Sequence, residues 1–248
     1  VRESNGGAVP SRGMGVVVVT GASSGIGAAL CDAFRKQGHL VVGLSRREAP
    51  AADEHEACDV SDRASVAAAA SRVLARHPQI AILVNNAGIP ARGGFSDIDE
   101  DRIAAVTATN YLGSVWVFRA FEPALGRGSH VVNVVSVAGT VAAGPYSAAK
   151  HAQLAFSRSL AVELAPRGIS VLTVNPGYVE TDGFPQRGRH GIFDRIVVDP
   201  PLIAEKIVEG IAKEKRELFV PGWYRPAAWI QALAPATVAR LRGRSARG

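Results

Sequence analysis

The chain is poor in cysteine, methionine and aromatic residues: two, one and 6% of 248 residues. Two thiols, Cys31 and Cys58, cannot build a disulfide scaffold, and no Cys/His cluster has the spacing of a zinc site. No apolar run reaches the ~18 residues a membrane span needs. The run Gly15–Val19 is too short for the core of a secretory signal. With 47% hydrophobic and 20% charged residues, the chain is too apolar to stay disordered and long enough to bury its own core. The reading is of a soluble, cytoplasmic, metal-free globular protein.

Acid is missing from the C-terminal end. Beyond Glu217 there is no Asp or Glu, but five arginines: Arg225, Arg240, Arg242, Arg244 and Arg247. Without them the formal charge of +6 falls to +1. A nucleic-acid enzyme would carry its basic face on the body, so nucleic acid is not an expected partner. Residues 1–13 are polar and aperiodic, as in a disordered leader or cloning remnant. Residues 14–222 read as one domain and 223–248 as a basic tail containing Trp223, Tyr224, Trp229, Ile230 and Leu233. The tail is expected to be a docked helix with a solvated end. The alternative is contact with a membrane surface or an acidic partner.

Short β-branched runs alternate with helical stretches. The runs are Val16–Thr20, Leu40–Leu44, His55–Cys58 (weaker), Ile80–Val84, His130–Val135, Ile169–Val174 and Glu217–Val220. Most are continuous in Val, Ile and Leu, as strands buried on both faces require. The helical stretches are Ile26–Gln37, Arg63–Arg76, Asp99–Leu125, Tyr146–Ala165 and Leu202–Lys213. This alternation predicts a doubly wound α/β domain: a mostly parallel seven-stranded sheet with helices on both faces.

The first run leads into Gly21-Ala-Ser23-Ser24-Gly25-Ile26-Gly27 and then a helix. Glycines let backbone approach a pyrophosphate, and the helix start offers unpaired N–H groups and a positive dipole end. The second run ends in Ser45-Arg46-Arg47, where an NAD site commonly places an acid for the ribose hydroxyls. Serine leaves room for a 2′-phosphate and arginine can grip it. The expected cofactor is NADP(H), with NAD(H) the alternative.

Tyr146-Ser-Ala-Ala-Lys150 places phenol and ammonium on one helix face. A nearby ammonium favours the phenolate and is expected to lower the tyrosine pKa from ~10 toward neutrality. The other tyrosines have Val115, Asp182 and Ala228 at that spacing.

With these residues the chain resembles the short-chain dehydrogenase/reductase family in its short single-domain, Rossmann-type form. The resemblance runs from about Gly15 to Gly222. It also includes Asp59-Val60, Asn85-Asn86-Ala87-Gly88, Asn110, Ser136 in V-S-V-A-G, and Asn175-Pro176-Gly177 with Val179 and Thr181. It implies that Asp59 and Val60 contact adenine, and that Asn86, Ala87 and Gly88 line the adenosine side. It implies that Pro176, Gly177, Val179 and Thr181 seat the nicotinamide. Tyr146 would be the acid in carbonyl reduction and the base in alcohol oxidation. Lys150 would hold the nicotinamide ribose and depress the Tyr146 pKa. Ser136 would hold the substrate oxygen, and Asn110 would support a proton relay to Lys150. The implied activity is interconversion of a ketone or aldehyde and an alcohol by a homodimer or homotetramer. Reduction of carrier-bound 3-oxoacyl or polyketide chains, and a non-catalytic NADP(H) sensor or scaffold, are the alternatives.

Ser136 and Tyr146 lie ten residues apart, fewer than the family's usual spacing. The expectation is a more open pocket and a bulky or extended substrate. Residues 182–199 break the strand–helix alternation and read as a lid. There Phe184, Ile192 and Phe193 are candidates to meet an apolar substrate, and Arg187, Arg189 and Arg195 an acidic one.

Overall fold

A computed structural model describes residues 14–188 and 195–238. The leader 1–13, the basic cluster Arg240–Arg247, and Arg189, Ile192 and Phe193 lie outside the described residues. Seven strands form one parallel sheet in the order β3-β2-β1-β4-β5-β6-β7. They are β1 (Val16–Thr20), β2 (Leu40–Ser45), β3 (Glu54–Ala57), β4 (Ile82–Asn85), β5 (His130–Val134), β6 (Ser170–Pro176) and β7 (Glu217–Val220). The helices are α1 (Gly25–Lys36), α2 (Arg63–Arg76), α3 (Glu100–Thr107), α4 (Gly113–Phe121), α5 (Gly144–Glu163), α6 (Pro200–Ala212) and α7 (Tyr224–Leu233). This is the doubly wound, Rossmann-type fold expected, in a single domain.

Successive strand residues face opposite sides of a sheet, so each central strand feeds two cores. Val18 joins Val66, Val73, Val117, Phe121, Leu160 and Leu164, beneath α2, α4 and α5. Val17 and Val19 join Leu30, Phe34, Ile203 and Ile207, beneath α1 and α6. Such two-sided burial is why the strands carry unbroken apolar runs. β3 reads weakly because it is an edge strand with charged residues. Its Glu56 takes Arg72 at 2.7 Å and Arg76 at 2.8 Å. Edge strands are commonly protected by charge in this way.

The stretch 99–125 is not one helix. α3 and α4 are joined by a π turn, Ala108–Leu112, and α4 ends in a tight turn at Glu122–Ala124. A π turn accommodates one extra residue in the helical path. The fully buried Asn110 sits within it. Its amide takes both polar groups of Ile89: Oδ1 accepts from Ile89 N at 2.8 Å and Nδ2 donates to Ile89 O at 3.0 Å. That tertiary bond has no counterpart in local periodicity. α7 is the helix expected of the tail. Its Ala228 is buried while Trp229, Ile230 and Leu233 are exposed. No described helix is long and apolar enough to cross a membrane.

Phe121 has no exposed surface and packs in the α2/α4/α5 core. Phe121→Ala is expected to cost about 3–5 kcal/mol, by loss of burial and the cavity left behind. Urea unfolding followed by circular dichroism checks this.

Candidate active site

The cleft opens at the carboxyl edge of the sheet, where the strand order reverses between β1 and β4. Ligands of open α/β sheets bind at such a point. The hydroxyl of Thr20 closes its floor. It accepts from Asn86 N at 2.9 Å and Ala87 N at 3.0 Å, and donates to Val84 O at 3.2 Å. The Asn86 amide donates back to Thr20 O at 3.0 Å. The end of β1 and the loop after β4 are thus one unit, and Gly88 follows it along the wall.

The glycine loop fits a dinucleotide by having no side chains where they would intrude. Gly21 has φ +66°, and a Cβ there would lie 2.9 Å from Ala87 Cα. At Gly27 a Cβ would lie 2.1 Å from Gly21 O, so only glycine lets α1 start this close to the turn. Ser24 stands at the helix start with no side-chain cap. The first N–H groups of α1 therefore face the cleft side of the loop without a side chain competing for them.

Across β2, Ser45 is turned inward. It is buried, and its hydroxyl donates to Arg47 O at 2.6 Å. Arg46 and Arg47 line the cleft and are exposed. Arg46 lies 3.8 Å from Asp59, an exposed contact. Partial burial raises the Asp59 pKa, but bonds from Ser61 and the charge of Arg46 outweigh it and hold the carboxyl below its ordinary value. Asp59, Val60, Asn86, Ala87, Gly88, Pro176, Gly177, Val179 and Thr181 line the same cleft. Its volume is about 600 Å³.

Ser136, Tyr146 and Lys150 meet at the far end of this cleft. The short segment between Ser136 and Tyr146 folds into a single turn, Val137–Thr140, capped by Ser136 Oγ accepting from Ala138 N at 3.1 Å. Ser147 Oγ ties the turn back to α5 by donating to Ala138 O at 2.7 Å. Ser136 and Tyr146 line the same end of the cleft despite the shortened spacing.

The charge balance differs from the sequence expectation. Burial pushes the Tyr146 phenol up to about 12, opposed by the nearby Ser136 hydroxyl. Lys150 does not lower it in this arrangement. Its Nζ lies 6.0 Å from the tyrosine ring centre and donates to Val134 O at 3.0 Å and Gln153 Oε1 at 2.8 Å. Burial pulls Lys150 down to about 7. Both groups are thus shifted toward their neutral forms. Asn110 has its amide committed to Ile89, so its side chain serves the wall of the cleft. Lys150 Nζ lies near Gly88, 3.8 Å from where a Cβ there would stand.

The model of the short chain dehydrogenase family matches residues 15–190. The chain belongs to this family. Among its relatives, the bovine dehydrogenase/reductase SDR family member 7B is 30% identical, over 94% of this chain and 81% of its own. A Streptomyces virginiae protein assigned as the ketoacyl reductase of a monensin polyketide synthase is 39% identical, over 71% of this chain and 74% of its own. A solved short-chain dehydrogenase from Streptomyces avermitilis is 28% identical, with a TM-score of 0.78, and the match covers 96% of this chain and 99% of that one.

Of the expected lid residues, Phe184 is at the site. Its ring lies 5.8 Å from that of Tyr146, and the Arg92 guanidinium lies 4.8 Å above it. Arg92 also donates to Pro185 O at 2.8 Å. The short turn thus does not leave Tyr146 bare. Arg187 pairs with Asp199 at 2.8 Å, and Arg195 is exposed. The sequence reading missed Thr20, Arg92 and Gln153. Gln153 alone carried a signal, a polar residue at i+3 from Lys150.

The depressed Lys150 pKa sets a pH dependence of stability. Below about 7 the lysine is charged in both folded and unfolded chains, and its burial penalty is present in full. Above that the folded chain binds fewer protons than the unfolded one, until the unfolded lysine also titrates near 10.5. The stability of the wild type relative to Lys150→Met should therefore rise with pH across this window. Paired urea titrations at neutral and alkaline pH measure it.

Proposed function

We propose that this protein is an NADP(H)-dependent oxidoreductase that interconverts a ketone or aldehyde and an alcohol. One observation carries the reading: a single cleft is lined by the glycine loop, by Arg46 and Arg47, and by Ser136, Tyr146 and Lys150. Bound cofactor would supply or take the hydride. The chain's own residues do the rest. The loop and the start of α1 bind the pyrophosphate. Arg46 and Arg47 meet the 2′-phosphate, with Ser45 withdrawn to leave space. Ser136 holds the substrate oxygen. Tyr146, protonated at neutral pH, gives its proton to that oxygen during reduction. The lowered Lys150 provides a group that can return one. Phe184 covers the Tyr146 ring and offers an apolar face to substrate.

A second reading keeps the chemistry and changes the substrate to a carrier-bound 3-oxoacyl chain. The likeness to the polyketide ketoacyl reductase supports it. Comparing turnover of acetoacetyl-carrier protein with that of the matching small thioester separates the two.

Removing both guanidinium groups should weaken NADPH binding by about tenfold to a hundredfold, the worth of one or two charge-assisted bonds, and leave NADH binding nearly unchanged. Fluorescence titration of Arg46→Ala/Arg47→Ala with each cofactor reads this; equal loss for both would count against the 2′-phosphate assignment. Tyr146→Phe should lower kcat by at least about a hundredfold with NADPH affinity retained. A wild type that binds NADPH but reduces no member of a broad carbonyl panel would point to the sensor alternative.

A further inference from the structure

Gln153 lies one turn beyond Lys150 on α5 and has no exposed surface. A buried amide is costly unless its bonds are made. Here both ends are satisfied, and one of the partners is Lys150. Oε1 accepts from Lys150 Nζ at 2.8 Å, and Nε2 donates to Ser114 Oγ at 2.9 Å. An ammonium can only donate, so the oxygen must face the lysine and the NH₂ must face α4. Ser114 is itself buried and stands at the second residue of α4, directly after the π turn that holds Asn110. A second Lys150 proton goes to Val134 O on β5. The ammonium is thus fixed from two elements, with one N–H left for the cleft.

We propose that Gln153, oriented by Ser114, is a positioning residue that fixes the Lys150 ammonium at the end of the cleft, one helical turn from Tyr146, and favours its charged form there. The proposal rests on the reading of Tyr146 and Lys150 as the proton-handling pair. Burial is what lowers the Lys150 pKa, and no charged side chain of α3, α4, the π turn, β5 or β6 contributes to that shift. Tyr146, one turn earlier on α5, is the titratable group beside it. An oxygen that accepts from the ammonium favours the charged form. Loss of that oxygen lowers the lysine pKa, and a carboxylate in its place raises it.

The test uses the full chain with Gln153→Leu, Gln153→Glu and Ser114→Ala. Lys150 is titrated directly by NMR of its side-chain Cε and Nζ, which needs neither cofactor nor substrate. The pH profile of kcat is then measured with NADPH and a carbonyl. Gln153→Leu should move the Lys150 titration down by about one pH unit, the scale of a hydrogen bond to a charged group. Gln153→Glu should move it up by a similar amount, and Ser114→Ala down by less. The alkaline limb of kcat should follow in each direction. A merely structural glutamine would give losses of the same sense in both Gln153 variants. An unmoved Lys150 titration, or shifts of one sign in folded Leu and Glu variants, would overturn the proposal. If Gln153→Leu does not fold, Gln153→Glu and Ser114→Ala carry the test. Opposite shifts of Lys150 without turnover in any protein, wild type included, would overturn the proposed reaction and uphold the Gln153–Lys150 linkage.

Discussion

The Thr20 hydroxyl joins the end of β1 to the loop after β4, and the cleft is organised around that joint. Two N–H groups converge on one oxygen, and its own proton goes to Val84 O. From this point the glycine loop turns one way toward α1, while Asn86 to Gly88 run the other way toward Lys150. Parallel strands make such an arrangement accessible, because all seven deliver their carboxyl ends to one edge. Cofactor-side and substrate-side residues, far apart in sequence, thereby come to share a wall.

At the other end of the cleft, burial governs. Tyr146 and Lys150 are both shifted toward their neutral forms. Neutral amides and hydroxyls surround them rather than counter-ions. Polar groups also cross the sheet interior behind the site: Asn85 donates to Asn133 at 2.9 Å, Asn133 to Ser157 at 2.9 Å, and Ser157 bonds Thr173 at 2.7 Å. Neutral networks avoid the large desolvation cost of buried ions. They leave the proton-transfer groups as the ionisable members of this region.

Much of the architecture was legible in the chain. Val16–Thr20 and Glu217–Val220 are strands over those bounds, and Arg63–Arg76 is α2. Continuous apolar runs and capping residues are local signals, and the parallel sheet follows from their alternation. The glycine loop was legible because its reason is steric and local. The π turn was not, since it is held by a bond from Asn110 to Ile89, 21 residues earlier. The inward turn of Ser45 depends on a side-chain rotamer. The expected depression of the Tyr146 pKa assumed that spacing on one helix face brings the ammonium to the phenol. Lys150 instead answers to Val134 and Gln153, which the spacing alone does not reveal.

The π turn also has a bearing on how this region tolerates change in length. An ordinary helix turns about 100° per residue. Asn110 reaches Ile89 from within the turn where the helical count is out of step, and Ser114 reaches Gln153 from just beyond it. Excising a single residue from Ala108–Leu112 would restore a regular helix and swing everything on one side of it by about a quarter turn. Either Asn110 would lose Ile89 or α4 would turn its apolar face from the core. Here the tally of residues between Ile89 and Ser114, and not only their identity, is part of the site.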